Sequence, residues 1–274
     1  SGNNTFTSTG TFTTSSLIGG TGNDSLGVQT MDKASLIAAG VGNDTITVAG
    51  LDASTIFTGG GNDFVTVAGN IQKSLIQSGS GFNTFSVSGI AGSTGVTING
   101  GSGVDNINAF ADKSAGILIN GGAGNDSITG GSGSDTITGG TGADQLIAGE
   151  GGTDTFVFNT GDSFASTSVG GGIATFGNGV DVITDFNKGN AVNVSAVDSI
   201  RVNGTTFAGN VPSSFGANAS IIGGKVQINQ GTSALKAGLN NVYVAGTWDQ
   251  STGKFTSSTS SNASPAAIML FQAN

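Results

Sequence analysis

Aspartates recur at fixed intervals behind glycine-rich turns: Asp24, Asp44 and Asp63 stand about twenty residues apart, then Asp105 and Asp126 follow after a gap. From Asp126 the beat doubles, with Asp135 and Asp144 nine residues apart and Asp154 one residue later than that spacing. The chain has no histidine and no cysteine. Imidazole or thiolate zinc sites and Ser-His or Cys-His catalysis are therefore excluded within it. What remains is oxygen chemistry: short carboxylates set beside backbone carbonyls that glycine turns bring together. Six or more hard oxygens suit calcium better than zinc or copper. One turn cannot supply that many, so an ion is expected between the turns of two stacked coils, and each Asp then helps hold two ions.

The elements that must position these carboxylates follow from the repeat. GNN at Gly2 to Asn4, GND at Gly22, Gly42 and Gly61, GFN at Gly81, GVD at Gly103 and GND at Gly124 mark successive coils. A unit of eighteen is two nines, which predicts a right-handed coil of two strands and two turns whose strands stack into two parallel sheets. In DTITV, Ile46 and Val48 share one face while Thr45 and Thr47 share the other, the period of two that a strand requires. The inward ladder is expected to run Phe6, Leu26, Ile46, Val65, Phe85, Ile107, Ile128, Leu146. It faces a second ladder of Ile37, Ile56, Ile76, Ile98, Ile119 and Ile137. SLIGG in the first coil reads as one residue short and leaves its register open.

The consensus G-G-x-G-x-D-x-U-x, with U apolar, is carried by GGTGNDSLG, GGAGNDSIT, GGSGSDTIT and GGTGADQLI. It resembles the RTX (repeats-in-toxin) calcium-binding nonapeptide of type I-secreted proteases, lipases, cytolysins, adhesins and S-layer proteins, over roughly residues 1 to 158. The resemblance implies an all-β fold, a right-handed parallel β-roll (an RTX solenoid), with calcium as cofactor. On this basis Asp24, Asp44, Asp63, Asp105, Asp126 and Asp144 form one column and Asp135 and Asp154 a second on the opposite edge. Gly22, Gly42, Gly61, Gly103, Gly124, Gly133 and Gly142 supply the accompanying turns. Asn4 and Asn83 depart from the pattern, and Phe82 replaces a small residue, so calcium beside those coils is expected to be weak or absent. The other turn of each early coil (VQTMDKAS, VAGLDAS, VAGNIQKS, AFADKS) is free of the motif, and its Asp before Ser reads as a side-chain-to-backbone turn.

Composition narrows the partners. Net charge is −9, only 9% of residues are charged, and 50 of 274 are glycine without a collagen period, which argues for repeated tight turns and against nucleic acid. No cleavable leader and no apolar run long enough to span a bilayer is seen, and a first residue other than Met suggests a fragment or processed form.

After residue 158 the composition shifts. Residues 159–274 are expected to form a small C-terminal β domain that caps the roll and carries a type I secretion signal. GVDVITDFNKGNAVNVS resembles the serralysin-like segment that follows such repeats; Asp181 and Asp185 read as ligands of a further ion, with Asp185 equally readable as a capping or turn residue. The tail SPAAIMLFQAN reads as an export signal or as an amphipathic strand, and Trp248, Tyr243 and Phe255 read as core. The functional expectation is a secreted, extracellular or cell-surface structural protein, an S-layer or filament subunit that self-associates. It would pass the type I apparatus unfolded and fold on external calcium. The alternatives are the export module of a secreted protease or lipase, or the terminus of an adhesin or cytolysin. No catalytic residues are expected, since Glu150 is the only glutamate and a carboxylate pair among Asp162, Asp181 and Asp185 is a poor glycosidase candidate.

Overall fold

A computed structural model describes residues 1–88, 95–109, 116–149 and 151–159, Asp162, and short strands between 168 and 272. Every regular element among the described residues is a β-strand. Eight strands, from Thr5–Thr13 to Gln145–Ile147, lie side by side in one sheet, and eight more, from Ser16–Thr21 to Thr155–Phe158, lie in a second. Chain order alternates between the two sheets and every roll pairing is parallel, so each coil adds one rung to each sheet. This is a parallel β-roll.

The register places identical positions of the repeat in line. Phe6 pairs with Leu26, Leu26 with Ile46, Ile46 with Val65, and so on through Phe85, Ile107 and Ile128 to Leu146. Opposite them run Leu17, Ile37, Ile56, Ile76, Ile98, Ile119, Ile137 and Phe156. Apart from Phe6 and Leu17 in the outermost coil, these side chains are buried and form one continuous core. Burying each such side chain contributes about 1.5–3 kcal/mol. The first coil needs no missing residue: Leu17 pairs with Ile37, and Ile18 points outward, 62% exposed.

The stacking continues past the nonapeptides. Asp181–Ile183 adds a parallel rung to Gln145–Ile147, with Ile183 on Leu146, and Ser199–Val202 adds one to Thr155–Phe158. Antiparallel strands then follow on both sheets: Ala267–Gln272 and Asn241–Asp249 on one, Thr205–Ala208 on the other. The apolar tail is thus a strand paired with Asp181–Ile183, and the last parallel edge of each sheet is covered, which blunts end-to-end pairing. Asp185 lies outside the described residues, as do Glu150, the turn AFADKS beyond Ala109, and the side chains of Tyr243, Trp248 and Phe255.

Candidate metal centre

Along one edge of the roll the aspartates form a single hydrogen-bonded column. The Oδ1 of each carboxylate accepts the backbone N–H of its counterpart one coil earlier. Asn4 N–H donates to Asp24 at 2.7 Å, Asp24 to Asp44 at 2.7 Å and Asp44 to Asp63 at 2.9 Å. Asp63 donates to Asn83 at 3.1 Å, Asn83 to Asp105 at 2.9 Å, Asp105 to Asp126 at 2.8 Å and Asp126 to Asp144 at 2.8 Å. The column runs on to a residue far along the chain, where Asp144 N–H donates to Asp181 Oδ1 at 2.9 Å.

The other carboxylate oxygen behaves differently. Oδ2 of Asp24, Asp44, Asp63, Asp105, Asp126 and Asp144 is buried and has no hydrogen-bond partner. Six buried, unpaired anionic oxygens in line are costly unless a cation balances them. At Asp24, Asp105 and Asp126 the space that Oδ2 faces has a carbonyl oxygen on its other side. A side-chain carbon placed on Gly100 would stand 2.5 Å from Asp105 Oδ2 and 2.5 Å from the carbonyl oxygen of Gly121 in the next coil. Gly19 and Gly121 face the same kind of pair, Asp24 Oδ2 with the Ala39 carbonyl and Asp126 Oδ2 with the Gly139 carbonyl. A side chain at these positions would fill the space between the two oxygens, so only glycine leaves the Oδ2 and the carbonyl open to a shared cation, and a donor set made only of hard oxygens suits calcium. The residues present therefore fit calcium. Among the described residues no three acidic side chains gather at one point. Each gap has carboxylates only from the two coils that bound it, so backbone carbonyls must complete the shell.

The turn glycines serve this arrangement. Gly42 (φ +143°) and Gly124 (φ +132°) lie in the left-handed region, and a Cβ at either would run into the backbone of the glycine one coil earlier, Gly22 or Gly103. Gly61, Gly103 and Gly142 repeat that close stacking, and Gly22 does so against Gly2. Gly133 stands on the opposite edge, where its carbonyl abuts Gly152.

The second edge carries two hydrogen-bonded runs in one register, separated at Val96 and Ile117, whose side chains offer no acceptor. Ile117 N–H donates to Asp135 Oδ1 at 2.9 Å and Asp135 N–H to Asp154 Oδ1 at 2.8 Å. In the early coils serines take the same place: Ser15 N–H donates to Ser35 Oγ, Ser35 to Ser54 and Ser54 to Ser74, at 3.2, 3.2 and 3.1 Å. Each hydroxyl also caps its own turn, Ser35 donating to the Asp32 carbonyl and Ser54 to the Asp52 carbonyl, both at 2.7 Å. The expected aspartate turn is therefore corrected: the serine side chain makes the bond, and Asp32 and Asp52 contribute backbone carbonyls. Asp135 also differs from the first-edge aspartates, because its Oδ2 accepts the Gly131 N–H at 2.8 Å.

Sequence reasoning missed a third ladder. The middle residue of Gly-Asn-Asp donates its N–H to the preceding asparagine's Oδ1: Asn23 to Asn3, Asn43 to Asn23 and Asn62 to Asn43, each at 2.8 Å. Phe82 N–H joins Asn62 at 2.9 Å, but Phe82 has no side-chain oxygen to pass the ladder on. The signal was present as the recurrent Asn beside Asp.

Residues 118–146 match the family model of the RTX calcium-binding nonapeptide repeat, in four copies. The chain carries RTX calcium-binding repeats. A comparison with curated proteins found no match, and neither did one with solved structures. The matched RTX block holds Asp126, Asp135 and Asp144, which lie on both edges of the roll. Coils outside it place Asp24, Asp44, Asp63 and Asp105 in the same column as Asp126.

The electrostatics of the RTX column set a pH dependence. Burial, reinforced by the charges of Asp144 and Asp105, pushes the Asp126 carboxyl up to about 7; burial, with Asp162 nearby, pushes Asp144 up to about 6. Burial raises Asp44 and Asp105 as well. A carboxyl whose folded pKa lies above its unfolded value stabilises the metal-free fold at acid pH, and that contribution is lost as pH rises through the folded pKa. Calcium must displace those protons. Apparent calcium affinity should therefore rise between pH 5.5 and 7.5 with proton release, as read by calorimetry in buffers of different ionisation heat. Equal affinity at both pH values would contradict this.

Proposed function

We propose that this chain is part of a calcium-dependent extracellular structural protein, an S-layer or surface-filament subunit, exported unfolded through a type I apparatus and folded by external calcium. The observation that carries the reading is the uniformity of the roll. Seven column positions from Asp24 to Asp144 repeat one hydrogen-bond scheme, and the second edge of the early coils is locked by serine hydroxyls. That is a scaffold extended well beyond the short block that matches the family model. Large apolar side chains on its outer surface, Ile18, Val41 and Phe82, each 62% exposed, support self-association. Among the described residues no helix is long and apolar enough to cross a membrane.

The role is structural, without a catalytic centre, since every described column acid is engaged in the stack. A second reading, the export module of a secreted enzyme or the terminus of an adhesin or cytolysin, is favoured by the tandem block at 118–146 with antiparallel strands behind it. Sedimentation velocity over a calcium series separates the two. The structural reading expects assemblies that grow with calcium and dissolve on chelation. A folded, calcium-loaded species that stays monomeric at every concentration would sink the lattice and leave the export module.

A further inference from the structure

The position five residues before each first-edge column residue faces the ion gap. It is glycine before Asp24, Asp105, Asp126 and Asp144, namely Gly19, Gly100, Gly121 and Gly139. In the three coils between, the register puts Ala39, Thr58 and Ser78 at that level, all buried. The Ala39 and Thr58 coils retain an aspartate whose Oδ2 lacks a hydrogen-bond partner, Asp44 and Asp63. The Ser78 coil does not: its column residue is Asn83, which is 1% exposed.

Asn83 fills the gap with donors. Its Nδ2 donates to Asp105 Oδ1 at 2.9 Å, to Ser78 Oγ at 3.0 Å and, at 3.4 Å, to the Gly81 carbonyl, while the Ser78 hydroxyl donates to the Gly100 carbonyl. These acceptors are the oxygens that would surround a cation: the next coil's carboxylate, the turn glycine's carbonyl and the carbonyl across the gap. Asn4 repeats the arrangement independently, donating to Asp24 Oδ1 at 2.8 Å, the Gly2 carbonyl at 2.8 Å and the Gly19 carbonyl at 3.2 Å. An N–H group and a cation cannot share one set of oxygens, because both are positive at the point of contact.

We infer that the Asn83 amide and the Ser78 hydroxyl take the place of an ion, so that the first-edge column is interrupted between Asp63 and Asp105 by a metal-free coil. In the folded roll the joint is closed by hydrogen bonds in place of an ion. The inference rests on calcium filling the gaps beside the aspartates.

The test is to open the gap. Ser78→Gly with Asn83→Asp restores the glycine and the carboxylate, and the full chain should then bind one more calcium ion than the wild type. Equilibrium dialysis with atomic emission gives the count, and circular dichroism on the same samples confirms the fold. Wild type that binds calcium and a folded variant that binds the same number would overturn the joint alone. A wild type that binds no calcium would overturn the column and the joint together. Should the variant fail to fold, wild-type crystals grown in calcium give the answer from anomalous scattering. Ion peaks beside Asp105 and Asp126 with none between Asn83 and Asp105 are expected; a peak there would overturn the inference.

Discussion

Asp126→Ala should lower the stability of the calcium-loaded roll by on the order of 3 kcal/mol or more, whereas Asp32→Ala should change it by about 0.5 kcal/mol or less. The difference lies in what each carboxylate does. Asp126 Oδ1 accepts the Asp105 N–H at 2.8 Å, so its loss strands a buried donor at a cost of about 1–3 kcal/mol. Its Oδ2 faces the gap between Gly121 and Gly139, and by the repeat the same side chain borders the gap on the Asp105 side, so two ion sites lose a charge together. Asp32 contributes to its turn through the backbone carbonyl that Ser35 holds at 2.7 Å, and alanine preserves that bond. Urea unfolding of both variants in saturating calcium measures the contrast. In chelator neither variant should show a cooperative unfolding transition, because the ion sites supply the folding energy. Equal destabilisation of the two variants in calcium would contradict the column.

The core and the first-edge column were legible in the sequence because both rest on strict periods. Alternation of apolar residues placed Ile46, Val65, Phe85 and Ile107 in one ladder, and the glycine-rich turns placed Asp24, Asp44, Asp63, Asp105, Asp126 and Asp144 on one edge. The register of the first coil stayed open in the sequence because SLIGG reads as one residue short of the later coils; the hydrogen-bonded register sets Leu17 against Ile37. Similar letters one position out of phase cannot be told apart by pattern alone when a strand is short.

Other features depended on contacts that residue types do not announce. Serine and aspartate both offer an oxygen to the neighbouring coil's N–H, so Ser35, Ser54 and Ser74 stand in line with Asp135 and Asp154 although their turns look unrelated. Asp181 joins the column from 37 residues beyond Asp144, a separation that hides it from any search for a fixed spacing. Asn83 was legible as a departure, but its amide's three acceptors show that it replaces the ion's contacts instead of merely lacking a charge.

The largest effect expected of all is that of removing the metal. Asp24, Asp44, Asp63, Asp105, Asp126 and Asp144 each bury an oxygen that no protein group satisfies. Without a cation these charges repel along the column, and each must either protonate or be exposed by unfolding. Because a site formed by two coils does not exist in the unfolded chain, the binding energy of the ions is folding energy. Far-ultraviolet circular dichroism at neutral pH, recorded in calcium and again after EGTA, tests this most directly. A β spectrum in calcium that collapses towards that of an unfolded chain on chelation, and returns when calcium is restored, is the predicted result. Unchanged β content after chelation would contradict the claim that calcium holds the roll together.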